Sequence, residues 1–338
     1  MLADKLHQVA STEAEKDEEA NAYHWRRPSL AGPTRCQRQL VYRATKEPRT
    51  NPISGRFFHV LEASSWDEEV MKDWIRRAGL AISAEQTEVN TAVGVGHIDG
   101  LICGDLAKPP VLLEVKAINH FTWQRYDSGN ELPIDYMTQS ALYLASEDLR
   151  KLEVKRAVLL IVNKNTRALL EYVLEYDPEI DTLFLVSRTN SNGDTHIVDP
   201  GDPDAVVLLN VISESIDRLD QVKSHAGAGT MPPRPFVKGD WHCDYCSWKG
   251  KCWSDYDVER DIVVGVDTRI DEPKMASTLE EYEALGRAVR RCEMERDDLR
   301  PQIVKAIVAA GVETIHCGKY KATLKKTKKS EMLKVEKE

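Results

Sequence analysis

The segments Gly94-Val-Gly-His-Ile-Asp-Gly-Leu-Ile-Cys-Gly104 and Val111-Leu-Leu-Glu-Val-Lys116 predict the centre of this protein's fold. Both are rich in branched aliphatic residues, which favours β-strands, and the glycine and prolines between them are typical of a turn. Three ionisable side chains interrupt this apolar background, namely Asp99, Glu114 and Lys116. The two segments therefore predict a β-hairpin that carries a small group of charged residues.

The spacing of these side chains makes the hairpin a candidate metal site. If the hairpin is centred on residues 106–107, Asp99 lies opposite Glu114 and His97 lies opposite Lys116, with about 5 Å between opposed Cβ atoms. Two carboxylates this close repel each other unless a cation lies between them, and Mg²⁺ or Mn²⁺ prefers such oxygen ligands. A solvated strand face with alternating polar residues is the alternative that the spacing leaves open, and a bulge would shift the register.

The composition of the 338-residue chain is that of an ordinary globular protein, with 42% hydrophobic and 30% charged residues. The net charge of −9 neither supports nor excludes a nucleic-acid partner, because carboxylates that bind metal ions contribute to it. No apolar run approaches the roughly 18 residues of a transmembrane helix, and the N-terminus does not resemble a signal peptide. We therefore expect a cytoplasmic protein without a membrane partner, whose cysteines are reduced unless they bind a metal.

The pattern along the chain predicts three regions. Residues 1–22 are polar and acidic, and we expect a frayed helix or a disordered segment there. Residues 23–253 alternate helical and strand patterns, which predicts an α/β core with one mixed sheet. Residues 254–338 are expected to form a helical extension, a small β-hairpin turning at Gly318 and a basic tail, since residues 319–338 hold eight lysines and three glutamates.

Two predicted helices flank the hairpin in sequence. The first covers residues 55–79, and because Ser65-Trp-Asp-Glu68 fits a capping box, this region is expected to form either one helix or two. The second follows an aromatic-rich stretch, residues 121–133, that is expected to be a loop near the site. It places Gln139 and Tyr143 on one face, because they are four residues apart.

A cysteine cluster follows the predicted core, in the pattern Cys243-x2-Cys246-x5-Cys252. Thiolates this close together in a reducing compartment usually bind a metal, and the site needs a fourth ligand. Cys36, 207 positions before Cys243, is the best candidate, and His242 is an alternative. Zinc and a [4Fe–4S] cluster both accept four thiolates, so the spacing leaves both open. If Cys36 takes part, the metal would clasp the start of the core to its end.

Together these motifs resemble those of PD-(D/E)XK nucleases of the RecB-like group. The resemblance is to the iron–sulfur exonucleases related to the CRISPR-adaptation and AddB-type recombination nucleases. The motifs that carry it are Gly55-x3-His59, Gly96-His-Ile-Asp99, Glu114-Val-Lys116, Gln139-x3-Tyr143 and the cysteines Cys36, Cys243, Cys246 and Cys252. They occur in the order found in that family, and nothing after about Trp253 matches it.

The resemblance implies a restriction-endonuclease-like core, with a mixed β-sheet flanked by helices, that hydrolyses DNA phosphodiester bonds. It implies that His59, Asp99 and Glu114, together with the backbone carbonyl of Val115, hold Mg²⁺ or Mn²⁺. Lys116 is implied to orient the attacking water or to stabilise the negative charge that develops on the phosphate.

The resemblance also assigns the remaining motifs. Gln139 and Tyr143 are implied to hold Lys116 or to contact the DNA backbone, and the four cysteines to bind a [4Fe–4S] cluster. We expect an exonuclease acting on single-stranded DNA ends in bacterial or phage recombination or repair. The chain has no Gly-x4-Gly-Lys-[Ser/Thr] motif and is not itself a helicase, although a helicase or recombination partner and an oligomer are compatible with the sequence.

Two alternatives of a different class stay open at the level of sequence. One is a module that binds DNA ends or assembles a recombination complex with weak or no catalysis. The other is a structural protein stapled by zinc, which would be colourless, whereas an iron–sulfur protein is brown.

Overall fold

The structure is a computed structural model that describes residues 2–21, 24–52, 54–104, 107–199, 205–254, 299, 302–308, 312–317, 320–326 and 331–337. The chain divides into two compact units, Met1–Asp257 and Val258–Glu338, and each is described by itself. No helix in the described ranges is long and apolar enough to cross a membrane.

The first unit is a mixed α/β structure built on a central sheet. Its described strands are β1 Ala81–Ser83, β2 Thr87–Thr91, β3 Gly94–Ile98, β4 Gly100–Gly104, β5 Ala107–Ile118, β6 Arg156–Asn163, β7 Leu169–Asp177, β8 Thr182–Thr189, β9 Thr195–Ile197 and β10 Val206–Leu209. The central sheet has the order β1-β4-β5-β6-β7-β8-β10, with β9 added to β8, whereas β2 and β3 form a separate ribbon.

Helices cover both faces of this sheet. Those described are α1 Leu2–Asn21, α2 Gln37–Ala44, α3 Gly55–Arg77, α4 His120–Asp127, α5 Ile134–Leu144, α6 Glu147–Lys151, α7 Val211–Ala228, α8 Trp241–Asp244 and α9 Lys249–Cys252, with a 3₁₀ turn at Pro28–Leu30. Helix α3 packs through Met71 against Leu113 and Val115 of β5. Helix α5 packs through Met137 into the core on the other face, with Leu112.

Strands β4 and β5 form the predicted hairpin in the predicted register. Gly100 pairs with Leu113, and the register is kept by the next two pairs, before it shifts between Ile102 and Gly104. Strand β5 then runs parallel to β6, and a parallel pair needs a long crossover, which helices α4, α5 and α6 supply. The remaining pairings in the sheet are antiparallel.

The prediction that His97 lies opposite Lys116 is wrong. The chain leaves the central sheet at Asp99, between β3 and β4, and β3 pairs with β2, so that His97 lies opposite Glu88. Asp99 is therefore outside both strands instead of being a member of the ladder. The glycines of this segment let the chain bend out of the sheet, whereas the prediction assumed one continuous strand.

Two further segments differ from expectation, and a third takes one of its two expected forms. In place of a frayed helix or a disordered segment, residues 2–21 form helix α1, which packs on α3, and the Ser11 hydroxyl accepts a hydrogen bond from the Gly55 N–H at 3.1 Å. Helix α3 is one helix capped by Ser54, so the apparent capping box at 65–68 does not start a second one. The aromatic stretch 121–133 begins with helix α4 instead of being wholly a loop.

The second unit contains a three-stranded antiparallel sheet, formed by β11 Thr314–Cys317, β12 Tyr320–Lys326 and β13 Glu331–Lys337. The predicted hairpin corresponds to β11 and β12. The expected basic tail instead contributes β13, which pairs with β12 along its whole length. Of the predicted helical extension, residues 302–308 are helical, and residues 255–298 lie outside the described residues.

Candidate active site

The structure brings Asp99, Glu114 and Lys116 together on the buried side of the hairpin. Asp99 is tied to β5 because its Oδ2 accepts a hydrogen bond from the Val115 N–H at 2.7 Å. Lys116 Nζ forms an ion pair with Glu114, lies 3.9 Å from Asp99 Oδ2 and donates to the Val115 carbonyl at 3.1 Å. Lys116 is therefore the cation that lies between the two carboxylates.

Glu114 is the most unusual charged residue of the group, because its side chain is 0% exposed. Neither of its carboxylate oxygens accepts a hydrogen bond of normal geometry from the described residues, despite the ion contact with Lys116. Burial raises the pKa of Glu114 to about 8, although the charge of Lys116 opposes this. A buried carboxylate whose charge is only partly compensated is costly, and such groups are concentrated at functional sites.

The charges of this group also shift the pKa values of the ionisable side chains around it. Burial acts to lower the pKa of Lys116, but the carboxylates of Glu114 and Asp99 outweigh it and raise that pKa. Burial also raises the pKa of Tyr143, and the charge of Glu114 adds to this. The site therefore holds a charged lysine and a neutral phenol at neutral pH.

Glu68 of α3 is a member of this site that the sequence analysis missed. Burial raises its pKa, and the next largest cause is the charge of Asp99. Lys72 Nζ lies 3.5 Å from its carboxylate, and Gln86 donates a hydrogen bond to it at 2.9 Å. The sequence did contain a signal, because Glu68 is one turn before Met71, which packs on the sheet.

His59 is not brought to the carboxylates. It precedes Glu68 by nine residues, about two and a half helical turns, and so lies on the opposite side of α3. Its imidazole is 45% exposed, with its Nδ1 4.0 Å from Glu62 and its ring 5.9 Å from that of His7. The helix motif alone does not set the rotation of α3, which is decided by how Met71 packs.

Gln139 and Tyr143 share a buried face of α5, as expected, but their side-chain hydrogen bonds within the described residues are to each other and to β3. Tyr143 donates to the His97 carbonyl at 2.9 Å, and Gln139 donates to the Tyr143 hydroxyl at 3.4 Å. A Cβ atom on Gly96 would lie 2.6 Å from the Tyr143 oxygen, so the close approach requires glycine there. This pair therefore holds the β3 backbone beside Asp99. The residue of α5 that reaches Lys116 is Tyr136, whose ring centre is 6.0 Å from Nζ.

The four cysteines of the predicted cluster are electrostatic neighbours despite their separation in sequence. Burial raises the pKa of Cys246 to about 11, and the charges of Cys36, Cys252 and Cys243 add to this shift. Burial likewise raises the pKa of Cys36, with smaller contributions from Cys252 and Cys243. The alternative ligand His242 instead stacks between Phe236 and Trp241.

Hydrogen bonds and an aromatic contact also hold the cysteine-bearing segment against the start of the core. The backbone N–H groups of Thr50 and Asn51 both donate to the Ser247 carbonyl, at 3.0 and 2.9 Å. Trp248 is fully buried, donates to the Glu47 carbonyl at 2.8 Å and stacks on Tyr42. These contacts join residues about 200 positions apart and bring Cys36, at the start of α2, to the segment. Within the described ranges, no three His, Cys, Asp or Glu side chains are placed as a ready-made metal site.

One cleft of about 1,810 Å³ connects the two groups of residues. Lys116, Val115 and Glu68 lie in its wall, and so do all four cysteines of the cluster. The basic residues that line it are Arg35, Arg38, Arg56, Arg125, Lys164 and Lys249. A smaller cavity of about 320 Å³ beside α7 does not contact the carboxylates. The larger cleft is therefore the place where a polyanion would meet Lys116.

No protein-family model matches the sequence, and no curated protein is detectably similar to it. Among solved structures, an alkaline exonuclease from Laribacter hongkongensis aligns with this chain at 12% identity and a TM-score of 0.31. The alignment covers 57% of this chain and 80% of the exonuclease. A similarity this low does not establish a shared fold, and the case for function depends on the site itself.

Proposed function

We propose that this chain is a metal-dependent deoxyribonuclease of the PD-(D/E)XK class, an exonuclease that acts on single-stranded DNA ends in recombination or repair. The observation that carries the proposal is the buried pair of carboxylates, Glu114 and Asp99, in contact with Lys116, which lines a basic cleft. Three acidic groups converge there once Glu68 is included. Their mutual repulsion favours a bound cation.

The donor set fits Mg²⁺ or Mn²⁺, which prefer oxygen ligands. Glu114 offers two carboxylate oxygens that accept no hydrogen bond of normal geometry from the described residues, and Asp99 offers a carboxylate that the Val115 N–H holds in place. Glu68 takes the place that the sequence analysis gave to His59. When bound, the metal ion would lower the pKa of a water and neutralise charge on the phosphate.

The other side chains position these ligands and the substrate. Asp99 is held by the Val115 N–H, and Lys116 is held by the Val115 carbonyl, so the backbone of one residue of β5 positions both side chains. Lys116 can donate to an attacking water or to a phosphate oxygen, because its ammonium has three N–H donors and the residue lines the cleft. Gln139 and Tyr143 fix the β3 backbone beside Asp99.

The cysteines fit a thiolate-bound cluster in donor chemistry, and we propose that Cys36, Cys243, Cys246 and Cys252 hold a [4Fe–4S] cluster. Each of Cys36 and Cys246 is affected by the charges of the others, and burial makes unligated thiolates here unfavourable. A bound metal removes this penalty, because it stabilises the deprotonated form. The cluster would have a structural role.

The test compares Glu114→Gln with Glu175→Gln. Both residues lie on strands of the central sheet, but Glu175 is on β7 in an exposed ion pair with Arg156. We expect Glu114→Gln to lower cleavage of labelled single-stranded DNA in Mg²⁺ or Mn²⁺ by roughly a hundredfold or more. Glu175→Gln should cleave as the parent does.

The Glu114→Gln variant keeps the size and shape of the side chain but takes the charged partner from Lys116, so it is expected to be less stable than the parent and has to be shown to be folded at the assay temperature. Circular dichroism would check this. Equal cleavage by the parent and Glu114→Gln would refute the catalytic assignment. A parent that binds DNA ends but never cleaves them in either metal would identify an end-binding module instead.

A further inference from the structure

The cleft contains exposed aromatic side chains that hydrolysis does not use. Phe236, His242 and Trp241 form a continuous stack. The centroids of Phe236 and His242 are 4.1 Å apart with planes inclined by 4°, and those of His242 and Trp241 are 3.7 Å apart. The His242 ring is further fixed by a 2.7 Å contact between its Nδ1 and Asp240. Trp241 ends the stack and is 51% exposed.

A second aromatic pair lines the same cleft. Phe57, in the first turn of α3, lies 4.8 Å from Tyr245, centroid to centroid, and Tyr245 is largely exposed. Large apolar rings exposed to water are costly unless they bind something. The rings are restrained by their neighbours, so little side-chain freedom is lost when a ligand covers them.

The charges around these rings specify the kind of ligand. Arg38, Arg56 and Lys249 line the same cleft as the aromatic residues, and Lys249 also forms an ion pair with Asp244 at 2.6 Å. Cationic side chains alternating with exposed aromatic faces are the features with which proteins hold single-stranded nucleic acid: phosphates meet the cations and bases stack on the rings. In a duplex the base faces are already covered by neighbouring bases, so such a surface favours unpaired strands.

We propose that Trp241, supported by His242 and Phe236, is a platform on which a base of single-stranded DNA stacks, with Tyr245 as a second contact. This rests on the proposed function for DNA as the ligand, and it adds the residues that select unpaired over paired DNA. Since stacking uses the faces that all four bases share, the platform tolerates any sequence.

The test measures binding separately from cleavage. Fluorescence anisotropy is recorded for the full-length chain, without added divalent metal, with three labelled probes: a thymidine oligonucleotide, an abasic oligonucleotide of equal length and a duplex. The abasic probe keeps every phosphate, so the electrostatic part of binding is unchanged. We expect the thymidine probe to bind at least about tenfold more tightly than the abasic probe.

Trp241→Ala is expected to remove most of that difference, and to weaken binding of the thymidine probe without changing binding of the abasic one. The matched control is Trp66→Ala, because Trp66 is 68% exposed on α3 and lies outside the cleft lining. This control should behave as the parent does. Tyr245→Leu is an independent second variant, should Trp241→Ala fail to fold.

Equal affinity of the parent for the thymidine and abasic probes would overturn the platform. So would variants at Trp241 and Tyr245 that weaken both probes equally, since that pattern reports lost charge or fold and not lost stacking. Failure of the proposed function looks different: the parent would prefer bases to abasic sites but would not hydrolyse the strand when Mg²⁺ or Mn²⁺ is added.

Discussion

At the scale of single residues, the site is defined by two buried carboxylates, Asp99 and Glu114, that share the single positive charge of Lys116. Glu114 is fully buried, and the charge of its neighbour Lys116 offsets only part of the cost of that burial. Breaking a buried ion pair is more costly than never forming it, so Lys116 and Glu114 depend on each other. A buried carboxylate and lysine of this kind lower the stability of the fold unless they bind a ligand. They therefore indicate a functional site more reliably than an exposed ion pair does.

The first prediction separates Glu68 from His59. Glu68→Gln should raise the Mg²⁺ concentration needed for half-maximal cleavage by about tenfold or more, because one oxygen ligand loses its charge. His59→Gln should leave that concentration unchanged, because the imidazole is on the opposite side of α3. Cleavage titrated against Mg²⁺ measures both variants. The reverse result, with His59 critical and Glu68 dispensable, would show that α3 is rotated relative to the structure described here.

At the scale of elements, the rotation of α3 and the anchoring of α7 show how distant residues set local geometry. Helix α7 begins after Asn210, which has a left-handed backbone and no side-chain cap bond. Asp181 caps the helix from the turn before β8: its Oδ1 accepts from the Ile212 N–H at 2.9 Å, and its Oδ2 accepts from the Ser213 N–H at 2.9 Å. The Tyr176 hydroxyl adds a bond to Oδ1 at 3.1 Å.

Asp181→Asn should therefore lower the free energy of unfolding by about 1–2 kcal/mol at pH 7. Burial acts to raise the pKa of Asp181, but the hydrogen bonds from Ser213 and Ile212 outweigh it and lower that pKa. The stabilisation is thus present above the unfolded-state pKa, about 3.9, and is lost as the pH falls through the lower folded-state value. The difference between parent and variant should shrink below about pH 4.

Chemical denaturation between pH 3 and pH 7 measures this difference. Asp217→Asn is the control, because Asp217 is exposed further along the same helix. That variant should stay within about 0.5 kcal/mol of the parent at every pH. An Asp181→Asn variant as stable as the parent at pH 7 would contradict the cap.

At the scale of the whole molecule, the first unit is closed by contacts between its beginning and its end. Residues 47–51 receive the segment around Trp248 through backbone bonds and a buried indole. A metal cluster held by the four cysteines, as proposed, would add a second connection between the same parts of the chain. A cross-link that closes so long a loop restricts the unfolded chain strongly.

Cys243→Ala should therefore lose the brown colour expected of a [4Fe–4S] cluster and lower the Tm by more than about 5 °C. Protein purified without oxygen is compared by visible absorbance and thermal denaturation. Cys103→Ala is the control, because Cys103 lies on β4 near Ser83, and it should keep the colour. A bleached variant that melts with the parent would show that Trp248 and its hydrogen bonds close the unit alone. A colourless parent that contains zinc would replace the iron assignment.

Much of the fold could be predicted because its signals are local. The register of β4 and β5 followed from the hydrophobic pattern and a short connection, and the pairing of Gly100 with Leu113 confirms it. The buried face of α5 followed from helical spacing, which places Gln139 and Tyr143 together. The path of β3 could not be predicted from local signals, because both β2 and β5 could pair with its backbone N–H and C=O groups. In the structure, β3 pairs with β2.

By itself, the sequence determined which residues carry charge into the core, since Asp99, Glu114 and Lys116 interrupt apolar strands whose pairing is short-range. The tertiary structure alone decided which other residues meet them. Glu68 joins them and His59 does not, because the packing of Met71 sets the rotation of α3. Cys36 meets the last cysteines because the Trp248 segment docks near residue 47. Periodicity reports which side of an element is apolar, and only packing between elements decides what each side faces.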